Sequence, residues 1–285
     1  MRSIIAGLAV VIVVLAAAGF YVLSSNDTDA ELDDRWSSFS ESSELEIDYS
    51  EWQVLLDDYL VSDTDSGVNL FDYSGLLDDG REPLDETVEY LVSVDPLALN
   101  RSEQKAYWIN LYNVLTVDLI LDNFPTASIT TLGSNPLEFG PWNEVAASVN
   151  GIELSLNDIE HRIIRPLYDD YRIHFAVNCA SIGCPNLAAE VFTADSLDEQ
   201  LDAAAMDYLN HPRGISIEGD QLNLSSLFDW YASDFGDDQA AVLSTLGQHI
   251  DAEARETLLK ISGSPTYAYD SVSYTHLTLP TICSV

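Results

Sequence analysis

The apolar positions in the body of the chain recur mostly at helical spacing. The clearest helix is predicted to follow Asn100, an N-cap residue with Glu103 three positions later, and to end near Asp122. Its middle, from Tyr107 to Leu115, is apolar on all sides, which is typical of a helix buried at the centre of a domain. The same spacing predicts further helices over 52–61, 82–93, 156–167, 197–209 and 239–261.

Residues 171–178 are the best candidate for a β-strand, because residue types alternate there. The predicted apolar face consists of Ile173, Phe175 and Val177, and the opposite face of Arg172, His174, Ala176 and Asn178. A short hairpin is predicted over 214–224, around Gly219 and Asp220. Together these elements predict an α+β fold, a mostly helical single domain around a small β-sheet that contains residues 171–178.

The N-terminus carries an uninterrupted apolar run from Ile4 to Leu23, preceded by Arg2. Twenty residues at helical rise just span the hydrocarbon of a bilayer, so the run predicts a membrane anchor. A cleaved signal peptide is the alternative, with small residues near Ala18 as the cleavage site. Either reading predicts a protein that is membrane-anchored or secreted, with its domain outside the cytoplasm.

The chain therefore divides into four predicted parts. An anchor or signal segment over 1–26 is followed by an acidic flexible linker over 27–50, which is rich in Asp, Ser and Glu. A globular domain is predicted over 51–270. Residues 271–285 resemble the translation of a sequencing adapter, and we expect them to be an artefact.

Charge adds a second constraint on the environment and the partners of the protein. The chain has 48 Asp plus Glu against 11 Lys plus Arg, a formal net charge of -37, although 47% of its residues are hydrophobic. A real core therefore lies under a strongly acidic surface. Such self-repulsion favours a saline environment, where the screening length is about 3 Å near molar salt. It argues against nucleic acid as a partner.

Glu160 is the first candidate for chemistry, because it falls within the apolar stripe of the helix predicted over 156–167. A carboxylate that faces a core needs a partner, and Arg172 or His174 is the natural one. His161 points to a different side of the predicted helix. This pattern fits either a structural ion pair or a binding pocket. In a binding pocket, Asn178 at the end of the predicted strand would be a further lining residue.

Asn110 and Asn113 lie in the middle of the central helix, where Asn is unfavourable and costly if it is buried alone. They predict either a structural hydrogen-bond network or the lining of a site. The sharper hypothesis is that Asn110, Glu160, Arg172 and His174 converge on one partly buried pocket, with Cys179 at its rim.

Cys179 and Cys184 permit two opposed interpretations. As a thiol, Cys179 would be a nucleophile with a His such as His174 as base and a Glu or Asn, with Glu160 as the candidate Glu, as the orienting group. In an extended strand, however, His174 and Cys179 would lie about 16 Å apart. The alternative is a disulfide with Cys184, which an exported location permits. A redox role and metal binding are further readings, but the spacing is not that of a standard zinc site, so we predict no metal and no cofactor.

Several separated motifs, in this order, resemble the domain-of-unknown-function 547 family. The motifs are WINLYN at 108–113, Glu160-His161 with Arg165, RIHFAVNC at 172–179, Cys184-Pro185, Leu224-Ser225, FDWY at 228–231 and Asp234-Phe235. The resemblance covers about 52–235 and suggests an exported bacterial or archaeal member. It implies no settled activity, so an enzyme and an interaction module both stay open.

The predicted function is thus that of a cell-envelope domain that binds a small polar ligand or peptide in a pocket of Asn, Glu, Arg and His. The alternative is a thiol-dependent hydrolase or transferase that uses Cys179 with a His base. Apart from such a ligand, the expected partner is the membrane, through the N-terminal segment.

Overall fold

The fold is organised around a 22-residue helix, Arg101–Asp122, which is buried around nearly its whole circumference. The computed structural model describes residues 32–62, 64–134, 140–261 and 263–272. Asn100 caps this helix, and its side chain accepts a hydrogen bond from the backbone N–H of Glu103. Glu103 in turn accepts a 2.8 Å hydrogen bond from the N–H of Ile47. The predicted N-cap Asn100 is therefore confirmed. The hydrogen bond from Ile47 to Glu103 also holds the segment before the helix in place.

The earlier α-helices surround this central helix, and the later ones lie beyond it. In chain order they are α1 (Ser50–Tyr59), α2 (Tyr73–Asp79), α3 (Glu82–Ser93), α4 (Arg101–Asp122), α5 (Arg165–Tyr168), α6 (Leu197–Leu209), α7 (Leu227–Trp230), α8 (Ala232–Phe235), α9 (Gln239–Leu246) and α10 (Ala252–Leu258). A π-helix occupies Asp158–Ile164 and runs directly into α5. Short 3-10 turns lie at Asp34–Trp36, Pro96–Ala98, Ile129–Thr131 and Tyr171–Phe175.

The strands form small sheets at the periphery. They are β1 (Leu60–Val61), β2 (Leu70–Phe71), β3 (Val145–Val149), β4 (Ile152–Ser155), β5 (Ile215–Glu218), β6 (Gln221–Ser225) and β7 (Thr266–Ala268). The first two pairs, β1-β2 and β3-β4, are antiparallel. In the third sheet, β5 and β6 form the predicted hairpin and β7 adds to β6 in parallel. The α+β class is confirmed, but a buried helix rather than a sheet occupies the centre.

Two hydrophobic clusters form the interior. The larger surrounds α4 and extends through α1 and α3. The smaller brings together Tyr208, Phe228 and Phe235 from the later helices. Phe175 belongs to the second cluster, whereas its neighbours Ile173 and Ala176 belong to the first. The 171–178 segment therefore lies where the two clusters meet.

The structure contradicts the predicted flexible linker over the described residues 32–50. Trp36 is only 1% exposed, and its ring lies edge-on to Trp108 of α4, with centroids 5.1 Å apart. Ile47 and Tyr49 are also buried. Acidic and Ser-rich composition predicted disorder, but three apolar side chains spaced along the segment bury enough surface to hold it on the domain.

The predicted strand over 171–178 is wrong. Residues Tyr171–Phe175 form a 3-10 turn, whose first residues are capped by the carboxylate of Asp170, which accepts a hydrogen bond from the N–H of Arg172. From Ile173 to Asn178 every side chain is buried, so this segment has no solvent face. The alternation of apolar and polar residues would indicate a strand only if one face were exposed, and here both the apolar and the polar residues from 173 to 178 are buried.

Two predicted helices also differ from the observed ones. The helix predicted over 156–167 begins with a reciprocal cap between Ser155 and Asp158, but continues as the π-helix Asp158–Ile164. The long helix predicted over 239–261 is two helices, because α9 ends at Leu246 with Gly247 as its C-cap, and the Asp251 carboxylate caps α10.

Two predicted parts of the chain cannot be compared with the structure. The apolar run of residues 4–23 and residues 273–285 both lie outside the described residues. None of the helices in the described ranges contains an apolar stretch that could span a bilayer.

Candidate functional site

Glu160 lies on the π-helix and is 7% exposed, as its place in the apolar stripe predicted. The hydroxyl of Tyr112, from α4, donates a 3.1 Å hydrogen bond to its Oε2. Its Oε1 lies 3.9 Å from Nδ1 of His174, which is within ion-pair range but too long for a hydrogen bond. Burial, reinforced by the Glu160 charge, raises the pKa of Tyr112, so this hydroxyl stays neutral and donates to the carboxylate.

His174 projects from the 3-10 turn into the same region, and its side chain is 1% exposed. Its Nε2 lies 2.7 Å from Oδ2 of Asp234, a residue of α8. The imidazole also stacks on Tyr231, with centroids 4.2 Å apart and an interplanar angle of 24°. One imidazole nitrogen therefore faces Asp234 and the other faces Glu160.

Arg165 completes the arrangement as a buried cation with 1% of its side chain exposed. Its guanidinium holds the Asp234 carboxylate with two hydrogen bonds, Nε to Oδ2 at 2.7 Å and Nη2 to Oδ1 at 2.9 Å. Burial raises the pKa of Asp234, but the hydrogen bonds and charges of His174 and Arg165 outweigh it and hold that pKa well below its usual value. Asp234 is therefore a fixed anion between two donors.

His161 lies on the solvent side of this arrangement and is half-buried. Its Nδ1 is 3.0 Å from Nη1 of Arg165. A guanidinium can only donate, so Nδ1 of His161 is the acceptor and a neutral ring carries its proton on Nε2. We call Glu160, His161, Arg165, His174 and Asp234 the ionic cluster.

The asparagines predicted to line the site instead fix the backbone around it. Asn110 exchanges two hydrogen bonds with the main chain of Phe192, at 2.7 and 3.1 Å. Asn113 donates to the carbonyl of Ala176 and accepts from the N–H of Asn178, both at 2.9 Å. The Asn178 side chain then bonds the carbonyl of Pro185. These contacts are a structural network that holds the 171–185 segment against α4.

Arg172 does not join the ionic cluster. Its guanidinium makes hydrogen bonds of 2.8–2.9 Å to the carboxylates of Asp170, Asp198 and Asp202. Only Glu160 and His174 of the four residues predicted to converge meet in the structure. Asn110 bonds the main chain of Phe192 instead. Arg172 is separated from His174 because the 3-10 turn directs the two side chains to different surroundings, whereas a strand would have put both on one face.

Cys179 and Cys184 form a disulfide, with their Cα atoms 6.0 Å apart. The hydroxyl of Tyr269 lies 2.8 Å from the sulfur of Cys179 and 3.1 Å from that of Cys184. The imidazole nitrogens of His174 face Asp234 and Glu160 instead of either sulfur. Within the described part of the chain, His174 therefore forms no dyad with Cys179 in the disulfide-bonded protein.

Arg165 and Asp234 were part of the motifs but were not predicted as site residues. Two signals point to them: Arg165 lies four residues after His161, one helical turn later, and Asp234 precedes Phe235 in a short motif. Within the described ranges, no group of three or more His, Cys, Asp or Glu side chains is arranged to hold a metal ion.

The protein is thus an α+β domain in which the ionic cluster lies where the two hydrophobic clusters meet. Residues 96–209 match the model of a family described as protein of unknown function, DUF547. The match supports the predicted domain family, over a shorter range than the resemblance covered. It runs from the turn before α4 to the end of α6, so it includes every member of the ionic cluster except Asp234. No curated protein and no solved structure matches the chain.

Proposed function

We propose that this protein is a binding domain of the cell envelope that takes a small polar ligand or peptide at the ionic cluster. The observation that carries the proposal is the sharing of one carboxylate, Asp234, by two buried donors, Arg165 and His174. Burying charged groups costs several kcal/mol per ion, and stability alone is served as well by apolar side chains. Clustered buried ionisable groups are therefore more frequent at functional sites.

The solvent edge of the cluster supports the same proposal. His161 is half-buried and Asp234 keeps 21% of its side chain exposed, while Glu160, Arg165 and His174 lie behind them. The cluster thus contains hydrogen-bond donors and acceptors, with both positive and negative charges, and its members range from partly exposed at the surface to fully buried. A ligand with both a hydrogen-bond donor and an anionic group would complement this arrangement.

The test is a thermal-shift screen of the full chain in detergent against amino acids, short peptides and small carboxylic acids. We expect at least one class to raise the melting temperature of the wild type and to lose most of that effect in His161→Ala. His211→Ala is the matched control, since His211 contacts the carbonyl of Ser66 outside the cluster. The proposal fails if no compound shifts the wild type, or if His161→Ala responds as the wild type does.

A thiol-dependent hydrolase or transferase is the alternative, and it requires that the disulfide be reduced to free Cys179. Assaying an activated ester with and without reductant separates the two functions. Hydrolysis that appears only with reductant and disappears in Cys179→Ser would favour the enzyme. If hydrolysis is absent both with and without reductant, the result favours the binding domain.

The location outside the cytoplasm is part of the proposal and rests on the apolar run of residues 4–23. We expect the protein to stay with the membrane fraction after a high-salt wash, because salt weakens charge attraction but not apolar burial. A mature N-terminus beyond Ala18, found by mass spectrometry, would identify a cleaved signal peptide instead.

A further inference from the structure

The disulfide loop, residues 178–185, is held in shape by hydrogen bonds that do not involve sulfur. The Asn178 side chain donates a 2.7 Å hydrogen bond to the carbonyl of Pro185, which joins the two ends of the loop. In the middle of the loop, the carbonyl of Gly183 accepts a 2.7 Å hydrogen bond from the hydroxyl of Tyr208. These contacts keep the two cysteines of the loop close together whether or not they are bonded to each other.

The two cysteines differ in exposure. Cys184 is 1% exposed, whereas Cys179 is partly exposed. In thiol–disulfide exchange, one sulfur must meet the substrate, and the second sulfur needs to meet only the first. The difference in exposure therefore fits Cys179 as the sulfur that meets a substrate and Cys184 as the sulfur that resolves the mixed disulfide.

Both sulfurs have a hydrogen-bond donor beside them. The hydroxyl of Tyr269 lies 2.8 Å from Sγ of Cys179 and 3.1 Å from Sγ of Cys184. The backbone N–H of Cys179 also donates a 3.0 Å hydrogen bond to Sγ of Cys184. The Ser181 hydroxyl lies 2.7 Å from that of Tyr269, so a donation from Ser181 leaves the phenolic proton for sulfur. Hydrogen bonds of this kind favour the thiolate, which is the reactive form of cysteine.

The position of the Tyr269 hydroxyl does not depend on the disulfide. Tyr269 directly follows β7, which pairs with β6 in parallel. Its ring packs against that of Trp230, with centroids 4.9 Å apart. The next residue, Asp270, accepts a 2.7 Å hydrogen bond from the N–H of Gly183 through its carbonyl. The donor should therefore stay beside the sulfurs when the bond between them is reduced.

We propose that Cys179 and Cys184 are a thiol–disulfide exchange site whose dithiol form reduces an organic disulfide. The Cys179 thiolate attacks one sulfur of the substrate, so that a mixed disulfide forms and the S–S bond of the substrate breaks. The Cys184 thiolate then attacks Sγ of Cys179, which restores the observed disulfide and releases the second substrate sulfur. The two protein thiols lose two electrons and two protons, which the substrate gains as it becomes a dithiol or two thiols. A small thiol outside the protein reduces the pair again and becomes a disulfide itself.

The direction of the reaction follows from the preorganised loop. Two thiols that are held side by side close to a disulfide readily, because the second attack is intramolecular. A dithiol that closes readily is a reductant, since its oxidised form is favoured. Attack of a thiolate on sulfur requires no His base, so the proposal differs from a thiol-dependent hydrolase. It also goes beyond ligand binding at the ionic cluster and does not rest on it.

The probe is hydroxyethyl disulfide, an uncharged molecule that the net charge of -37 does not repel. All proteins are full chains in detergent and carry Cys283→Ser, which removes the cysteine outside the described residues. Each protein is reduced and then freed of reductant before the probe is added. Reduced Cys184→Ala should form a stable mixed disulfide on Cys179, detected by mass spectrometry. Reduced Cys179→Ala should react at least tenfold more slowly, because its remaining thiol is buried. The protein with both cysteines should instead return to its internal disulfide and release the probe as thiol.

Tyr269→Phe, combined with Cys184→Ala, tests the positioning role of the hydroxyl. The mixed disulfide should form about tenfold more slowly at pH 7, because the thiolate loses one hydrogen bond to a charged group. The pH profile of the rate should also move to higher pH, which a purely structural role would not cause. Tyr267→Phe in the same background is the matched control, since Tyr267 lies on β7 and is 40% exposed. Its rate and pH profile should equal those of Cys184→Ala alone.

Melting temperatures of the reduced proteins verify that they are folded under the assay conditions. If a single-cysteine variant is unfolded, brief alkylation of the reduced protein with both cysteines gives the same comparison, and Cys179 should be modified first. Equal reactivity of the two cysteines, no mixed disulfide in folded Cys184→Ala, or an unchanged rate and pH profile in Tyr269→Phe would each overturn the proposal. None of these outcomes bears on the ionic cluster, which is tested by His161→Ala.

Discussion

The imidazole Nε2 of His174 lies 2.7 Å from Oδ2 of Asp234, across 60 positions of the chain. His174 belongs to the region that matches the DUF547 family, whereas Asp234 lies beyond it. The contact therefore joins the matched region to the segment that carries the second hydrophobic cluster. It makes α8 part of the same polar centre as the π-helix and α5.

Replacing Asp234 by Asn should be strongly destabilising. The substitution leaves the buried guanidinium of Arg165 and the imidazole of His174 without their shared anion. Breaking a buried pair costs about 3–5 kcal/mol, and we expect about 3 because Asp234 keeps a fifth of its side chain exposed. Urea unfolding of the two proteins measures the difference in the free energy of unfolding.

Asp229→Asn is the control for this comparison, since Asp229 is exposed and lies one turn earlier in the same region. Its free energy of unfolding should change by less than about 0.5 kcal/mol. Comparable losses in both variants would mean that removal of any acidic residue here is harmful, and that the cluster has no special role in stability.

Asp118 gives a prediction on pH. Burial and the neighbouring Asp122 raise the pKa of Asp118 to about 6, despite its ion pair with Arg81 at 2.6 Å. A raised folded-state pKa means that the stabilisation is fully present below the unfolded value near 4 and is lost as pH rises through 6. The wild type should therefore gain stability between pH 7 and pH 5, and Asp118→Asn should lack that gain.

Other carboxylates also respond to pH, so the comparison depends on a difference between proteins. Asp78→Asn removes one exposed carboxylate and should keep the pH dependence of the wild type. Melting temperatures at pH 5 and pH 7 give the result for all three. Parallel pH profiles for the wild type and Asp118→Asn would contradict the prediction.

The disulfide between Cys179 and Cys184 should stabilise the fold by about 2 kcal/mol, because it closes only a short loop. Adding reductant should lower the urea midpoint of the wild type accordingly. The double variant Cys179→Ser, Cys184→Ser should have the lower midpoint from the start and should not respond to reductant. A double variant as stable as the oxidised wild type would remove any structural role for the bond.

Salt should stabilise the domain. Two of the few cations are each paired with three carboxylates, Arg81 with Asp85, Asp118 and Asp122, and Arg172 with Asp170, Asp198 and Asp202. The remaining acidic groups repel one another, and molar salt screens that repulsion. The melting temperature should rise from low salt to molar NaCl, and a flat profile would count against salt adaptation.

Several elements could be predicted from the amino-acid sequence because their signals are local. Asn100 with Glu103 marks the start of α4, and the apolar surroundings of Asn110 mark that helix as central. The hairpin at Gly219 and the burial of Glu160 also follow from short-range patterns. In each case hydrogen bonding or amphipathicity within a few residues decides the structure.

The partners of the polar side chains, by contrast, depend on tertiary packing and could not be predicted from local patterns. The sequence alternation predicted that Arg172 and His174 would share a face, but the cap at Asp170 sets a 3-10 turn and separates them. Asp234 reaches His174 through the packing of Phe235 against Phe175 and Phe228, contacts between segments distant in the chain. Such pairings depend on which apolar faces meet, and no local pattern encodes that choice. The same reason explains Trp36, whose burial against Trp108 turns an acidic, linker-like segment into part of the domain.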